Sequence, residues 1–145
     1  MTADKKILLV EDNPDDEQLT LIALQKGRVK NHVDVVRDGA EALDYIFRRG
    51  EFTAKQNDPL PTVVLLDLNL PKVSGIEVLR QIRENAGTKT LPVVILTSSR
   101  EERDLIDGYS QGANSYIVKP VDIAQFTHAI QQLQLYWLVL NEARA

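Results

Sequence analysis

The chain contains no cysteine and only two histidines, His32 and His128. The first absence excludes a disulfide framework, a thiolate nucleophile, an iron-sulfur cluster and a cysteine zinc site. The second leaves little for a histidine-rich metal site or relay. No basic run is longer than Lys5-Lys6 or Arg48-Arg49, so there is no patch for nucleic acid or for an anionic membrane surface. Long apolar runs are missing as well: ILLV near the N-terminus is too short for a signal-peptide core, and LYWLVL near the C-terminus is too short to span a bilayer. What remains is the expectation of a soluble, cytoplasmic protein that binds neither nucleic acid nor membrane. Its chemistry must rest on carboxylates, hydroxyls and amines.

A length of 145 residues suits one domain around a single core, and 43% hydrophobic with 26% charged residues argues for a folded chain. The net charge of -4 is unevenly placed. Glu11, Asp12, Asp15, Asp16 and Glu17 put five acids into seven residues with no base among them, whereas the rest of the chain holds 16 acids against 17 bases.

Five short apolar runs read as strands: Ile7 to Val10, Val33 to Val36, Val63 to Leu66, Val93 to Leu96 and Tyr116 to Val118. Four lack polar alternation, as strands buried on both faces of a parallel sheet do. The run Val33 to Val36 contains Asp34 and reads as an edge strand. Helical patterns lie between. Asn13 can cap a helix that starts at Pro14, carries Asp15 to Glu17 in its first turn and closes at Gly27. Ala40 to Arg49 places apolar residues at helical spacing with Gly50 as a stop, followed by a long surface loop to Thr62. Ile76 to Arg83 and Glu101 to Gln111 repeat the helical pattern. The last helix opens near Asp122, with Gln125 as a capping-box partner, and extends to about residue 142. The alternation predicts a three-layer α/β sandwich of five βα units with no dividing linker.

In such sheets, ligands bind at the carboxyl ends of the strands. Glu11 and Asp12 follow the first predicted strand, Asp67 the third, Thr97 and Ser98 the fourth, and Lys119 and Pro120 the fifth, while Arg37-Asp38-Gly39 after the second reads as a turn. Taken singly, each acid is as readily a helix cap, Thr97 a turn residue and Lys119 a solvated charge. Their position at one end of four strands shifts the balance. Carboxylates about 4 Å apart repel by roughly 4 kcal/mol at a surface-like dielectric, so three together call for cations. Lys119 supplies one charge, and a hard divalent ion with all-oxygen ligands, Mg²⁺ or Mn²⁺ in its place, supplies the rest. Metal, ammonium and hydroxyl around a carboxylate suit phosphoryl transfer.

At these residues the chain resembles the receiver domain of two-component response regulators. The likeness is carried by VEDN at Val10 to Asn13, LLDLNLP at Leu65 to Pro71 with Gly75, ILTSS at Ile95 to Ser99, and SYIVKP at Ser115 to Pro120. It extends over about Lys5 to Leu133. It implies a flavodoxin-like, doubly wound parallel sheet in the order 2-1-3-4-5, and one receiver domain over residues 1–145 with no separate output domain. It further implies that Asp67 is the phosphoacceptor, that Glu11, Asp12, Asp67 and the backbone carbonyl of Asn69 hold the metal, and that Thr97 and Lys119 contact the phosphoryl group. Tyr116 would be the aromatic switch that turns inward, and Lys119-Pro120 would be cis. Glu11 stands where aspartate is commoner and Ser98 where alanine is frequent. The long loop before the third strand and the aromatic C-terminal extension are similar to stand-alone regulators of phytochrome-type histidine kinases. Such a kinase is therefore the expected phosphoryl donor.

Two rival classes share parts of this pattern. A haloacid-dehalogenase-like phosphatase also uses a strand-end aspartate, but its D-x-D-x-T signature fails at Asn69 and Pro71. A pseudo-receiver, which switches without phosphate, typically lacks the acceptor, an acid or the lysine, and none is missing here. Output is expected to run through protein contacts. Phe126, Ile130, Leu133, Trp137 and Leu140 form one apolar stripe on the last helix, but Leu135, Tyr136, Leu138 and Val139 fall off that face. A homodimer through these four is the expectation.

Overall fold

The computed structural model describes residues 6–27, 29, 31–55, 58–98 and 115–133. Five parallel strands, β1 (Ile7–Val10), β2 (Val33–Val36), β3 (Val63–Asp67), β4 (Val93–Thr97) and β5 (Ser115–Val118), form one sheet in the order β2-β1-β3-β4-β5. Four helices are described: α1 (Pro14–Lys26), α2 (Gly39–Phe47), α3 (Gly75–Glu84) and α4 (Ile123–Gln132). The helix expected over Glu101 to Gln111 and the stretch 134–142 expected to prolong α4 lie outside the described residues.

The apolar runs become central strands because both of their faces are covered. Leu8, Val10, Val64, Leu66, Val93 and Ile95 pack with Ala42, Leu43 and Ile46 of α2 and Val78, Leu79 and Ile82 of α3. The alternate residues Ile7, Leu9, Val63, Leu65, Val94, Leu96 and Ile117 pack with Ala23 and Leu24 of α1 and Phe126, Ala129 and Ile130 of α4. β2 is an edge strand, as Asp34 indicates; its carboxylate accepts from the Tyr45 hydroxyl at 2.5 Å and meets the exposed His32 at 2.8 Å.

Helix starts follow the sequence closely. Asn13 accepts from the N–H groups of Asp15 and Asp16, Ser74 from that of Glu77, and Asp122 from that of Gln125. Four local readings need correction. Asp38 is a helix cap, bonded by the Glu41 N–H at 2.7 Å, and Gly39 opens α2 instead of forming a free turn. α2 ends at Arg48, which adopts the left-handed conformation (φ 55), two residues before Gly50. The following loop contains a 3-10 turn, Gly50–Lys55. Gln125 pairs with the cap, its N–H donating to Asp122 Oδ1 at 2.8 Å and its Nε2 to Asp122 Oδ2 at 3.1 Å, but its side chain does not return the bond to the Asp122 N–H that a capping box requires. Its side-chain amide instead accepts from the Val118 N–H and donates to the Val118 carbonyl, both at 3.0 Å, satisfying polar groups that β5 leaves unpaired at the sheet edge.

Two glycines are demanded by close approach to backbone: Gly39, where a Cβ would lie 1.9 Å from the Val73 carbonyl oxygen, and Gly75. A Cβ on Gly75 would lie 2.4 Å from the carbonyl oxygen of Asp67 and 2.9 Å from the Leu68 Cα, so α3 starts directly behind the end of β3. Gly75→Ala is expected to destabilise the fold by about 1–3 kcal/mol through backbone overpacking, read as a lower urea midpoint with an unchanged slope.

Candidate functional site

The strand order reverses between β1 and β3, and the predicted residues gather at the carboxyl edge there. Glu11 follows β1 and is fully buried, with its N–H bonded to the Val36 carbonyl at 3.0 Å. Its carboxylate also accepts from the Asn13 N–H at 3.3 Å, linking it to the cap of α1. Asp12, beside it, is exposed. Asp67 is the last residue of β3, only 3% exposed, and accepts from the Asn69 N–H at 3.2 Å. Thr97, fully buried, ends β4 and accepts from the Lys119 N–H at 2.8 Å through its carbonyl. Lys119 follows β5, and the Lys119-Pro120 bond is cis, as the resemblance implies. Tyr116 is half-buried on β5 against the core on the α2 and α3 side. Behind Asp67, Lys72 at φ 69 sits inside a γ-turn closed by the Val73 N–H on the Pro71 carbonyl, and the Gly39 N–H bonds that same carbonyl. The loop carrying Asn69 is thus tied to α2.

Carboxylate oxygens of Glu11, Asp12 and Asp67 lie within 4.8 Å of one another. Lys119 Nζ stands 3.0 Å from Asp67 Oδ2, 3.0 Å from Glu11 Oε1 and 3.1 Å from Asp16 Oδ2. One ammonium therefore faces three carboxylates, with Asp12 as a fourth acid nearby. Charges this close repel by about 3–4 kcal/mol per pair at an effective dielectric near 20, so the lysine alone does not balance the pocket.

The titration of Glu11 records that excess. Burial, then the neighbouring Asp67, push its carboxyl from 4.5 up to about 7, against the pull of Lys119. For Lys119, burial works against the charge, but the hydrogen bonds and charges of Asp67 and Glu11 outweigh it and hold the ammonium above its usual range. Glu11 Oε1, although close to Nζ, is buried without a hydrogen-bond donor. A hard divalent cation fits this set: the donors are all oxygen, two are nearly inaccessible to water, and one is a buried acceptor without a proton partner.

Sequence reasoning placed Asp15 to Glu17 in helix-start chemistry alone. Asp15 fits that role, but Asp16 reaches Lys119, and Glu17, mostly buried, accepts from the Arg37 guanidinium at 3.1 Å. The available signal was spacing: Asp16 lies in the first turn of a helix that leaves the end of β1, so one of its sides must face the strand ends. Leu135, Tyr136, Leu138 and Val139, the expected dimer residues, lie outside the described residues. No helix among the described residues is long and apolar enough to cross a membrane.

Comparison with known proteins gives the same picture. The family model for the response regulator receiver domain matches residues 7–131. Response regulator Rcp1 of Synechocystis sp. (strain ATCC 27184 / PCC 6803 / Kazusa) is 37% identical over 134 residues, covering 92% of this chain and 89% of Rcp1. The solved structure of the bacteriophytochrome response regulator AtBRR is 50% identical with a TM-score of 0.90, covering 97% of this chain and 100% of that one. A Mn(2+)-bound form of Rcp1 is 37% identical with a TM-score of 0.71, covering 92% of this chain and 94% of that one. A parallel sheet in the order 2-1-3-4-5, an acidic pocket with a lysine at its carboxyl edge, and a family match over nearly the whole chain agree: the protein belongs to the response regulator receiver domain family, the phosphoryl-accepting signalling modules of two-component systems.

Proposed function

We propose that Asp67 is the phosphoacceptor of a cytoplasmic, stand-alone regulator whose donor is a phosphohistidine on a phytochrome-type histidine kinase. The observation that carries this reading is the setting of Asp67: buried at the end of β3, bonded to Lys119 and within 4.8 Å of two further acids. The kinase type rests on the likeness to AtBRR, named for a bacteriophytochrome, across 97% of the chain. A carboxylate oxygen of Asp67 attacks phosphorus in line, the phosphorus–nitrogen bond to the donor histidine breaks, and an acyl phosphate forms. Lys119 neutralises charge on the phosphoryl oxygens, and the Thr97 hydroxyl donates to one of them. Mg²⁺ is the ion we assign to Glu11, Asp12, Asp67 and the Asn69 carbonyl; it would neutralise the remaining equatorial oxygens. The protein assists its own phosphorylation and dephosphorylation and turns over no separate substrate.

The signal follows from space and charge. Movement of Thr97 towards the phosphoryl group vacates room beside β5, and Tyr116 turns into it, biasing the surface of β4 and β5 between two states. Output then passes through protein contacts, including a homodimer that we assign to Leu135, Tyr136, Leu138 and Val139. The support for the dimer is the sequence LYWLVL, too apolar on every side for one covered face.

Three outcomes are expected. Wild-type protein takes up label from the kinase in an acid-stable, alkali-labile form, and Asp67→Asn takes up none; full labelling of that variant would remove Asp67 from the role. Mg²⁺ affinity should fall with pH, because the ion must displace a proton from Glu11 below about 7. Calorimetry should show about tenfold weaker binding at pH 6 than at pH 8, and Glu11→Gln should flatten the dependence. The sign for stability is opposite: with the folded value raised above 4.5, the metal-free fold loses stability as pH rises from about 4.5 through 7. Thirdly, Leu135→Asp with Leu138→Asp should halve the mass seen in light scattering, and a wild-type mass would refute the placement of the dimer.

A further inference from the structure

Asp16 has no role in the site as assigned so far, yet it touches the lysine. The ammonium of Lys119 has three N–H donors, and among the described residues it is hydrogen-bonded to Asp67, Glu11 and Asp16, at 3.0, 3.3 and 3.1 Å. Two of those acceptors have other duties. Glu11 and Asp67 belong, with Asp12, to the set of oxygens close enough to share one cation, and Asp16 is outside it. Asp67 is also the group that phosphorylation converts from a carboxylate to an acyl phosphate. Cation binding and phosphorylation therefore both draw on the first two partners of Lys119 and leave the third as it was.

We infer that Asp16 is a positioning residue for Lys119, holding the ammonium at the pocket while Glu11 and Asp67 are taken up by the cation and the phosphoryl group. The scaffold suits this task. The Asp16 N–H is fixed at 3.0 Å to the capping oxygen of Asn13, which is itself bonded through its N–H to Glu11. The anchor for Lys119 is thereby built on the same turn as the metal-facing acid. A lysine side chain carries large rotamer entropy, and the Lys119 chain is only 13% exposed. A carboxylate outside the cation-sharing set confines it and leaves to a phosphoryl oxygen the N–H now given to Asp67. Asp15, the adjacent acid, is exposed and is not bonded to Lys119 among the described residues, so the two neighbouring aspartates differ in function.

This inference rests on the reading of Lys119 as the phosphoryl contact, and the test separates the two. Asp16→Asn, Lys119→Gln and the double variant of the full chain are titrated with beryllofluoride, a phosphoryl mimic, at saturating Mg²⁺ by calorimetry. Asp16→Asn is expected to weaken binding about two- to fivefold, in keeping with a partly exposed charge pair, and to add no loss once Lys119 is glutamine. In the metal-free protein, ¹⁵N-lysine NMR should show faster exchange of the Lys119 ammonium protons with water in Asp16→Asn than in wild type. An equal loss in both backgrounds, unchanged affinity of Asp16→Asn beside a weakened Lys119→Gln, or unchanged exchange overturns the inference alone. Wild-type affinity in Lys119→Gln overturns the reading of Lys119 and the inference with it.

Discussion

The structure turns on an excess of negative charge held at one edge of a buried sheet. Glu11 and Asp67 are almost closed to water, Asp12 and Asp16 stand beside them, and Lys119 is the cation that faces them. In a solvated setting these acids would separate. Here the backbone forbids it: the N–H groups of Glu11, Leu68 and Lys119 are bonded to carbonyls of the neighbouring strands, so the ladder continues past the strand ends into the site. The raised titration of Glu11 is the electrostatic record of that constraint. The same constraint prepares the pocket for a cation and for a phosphoryl group whose charge the cations then share.

Holding acids together in this way takes a rigid frame. β1, β3 and β4 are covered on both faces, and their residues are all buried. The helices begin at the same edge, each with a side-chain cap, and one of these caps, Asn13, is bonded to Glu11. Gly75 lets α3 approach the carbonyl of Asp67 closely, and the γ-turn at Lys72 ties the intervening loop to α2. Packing, capping and the acidic pocket are therefore interdependent.

Much of the fold was legible in the sequence because its signals are local. Unbroken Val, Ile and Leu runs mark strands buried on two faces, and Asn13 and Asp122 lie next to the backbone they cap. Three of the misreadings, at Gly50, Gln125 and Asp16, share a physical origin. Gly50 looked like the helix stop, but Arg48 takes the left-handed position and is held by its guanidinium on the Tyr45 and Pro59 carbonyls. Gln125 does pair locally with Asp122, but the edge of β5 also offers its side chain an N–H and a carbonyl seven residues away. Asp16 was assigned to a helix start because its partner, Lys119, depends on how the chain closes up, whereas the cap formed by Asp38 on the Glu41 N–H is local and its Asp-Gly sequence suits a turn equally well.

The sequence by itself determined the alternation of strands and helices, the layering, and the placement of Glu11, Asp12, Asp67, Thr97 and Lys119 at strand ends, since each follows from periodicity or from neighbours a few residues apart. Only the tertiary structure decided which charges meet. Lys119 lies 52 residues from Asp67, 103 from Asp16 and 108 from Glu11 along the chain. Contacts over such separations leave no periodic trace, because they are set by the order and register in which the strands pair. The division of labour between Asp15 and Asp16 is the sharpest case: the two residues are chemically identical and adjacent, and only the direction of the first turn of α1 relative to β5 separates a solvated acid from a partner of the lysine.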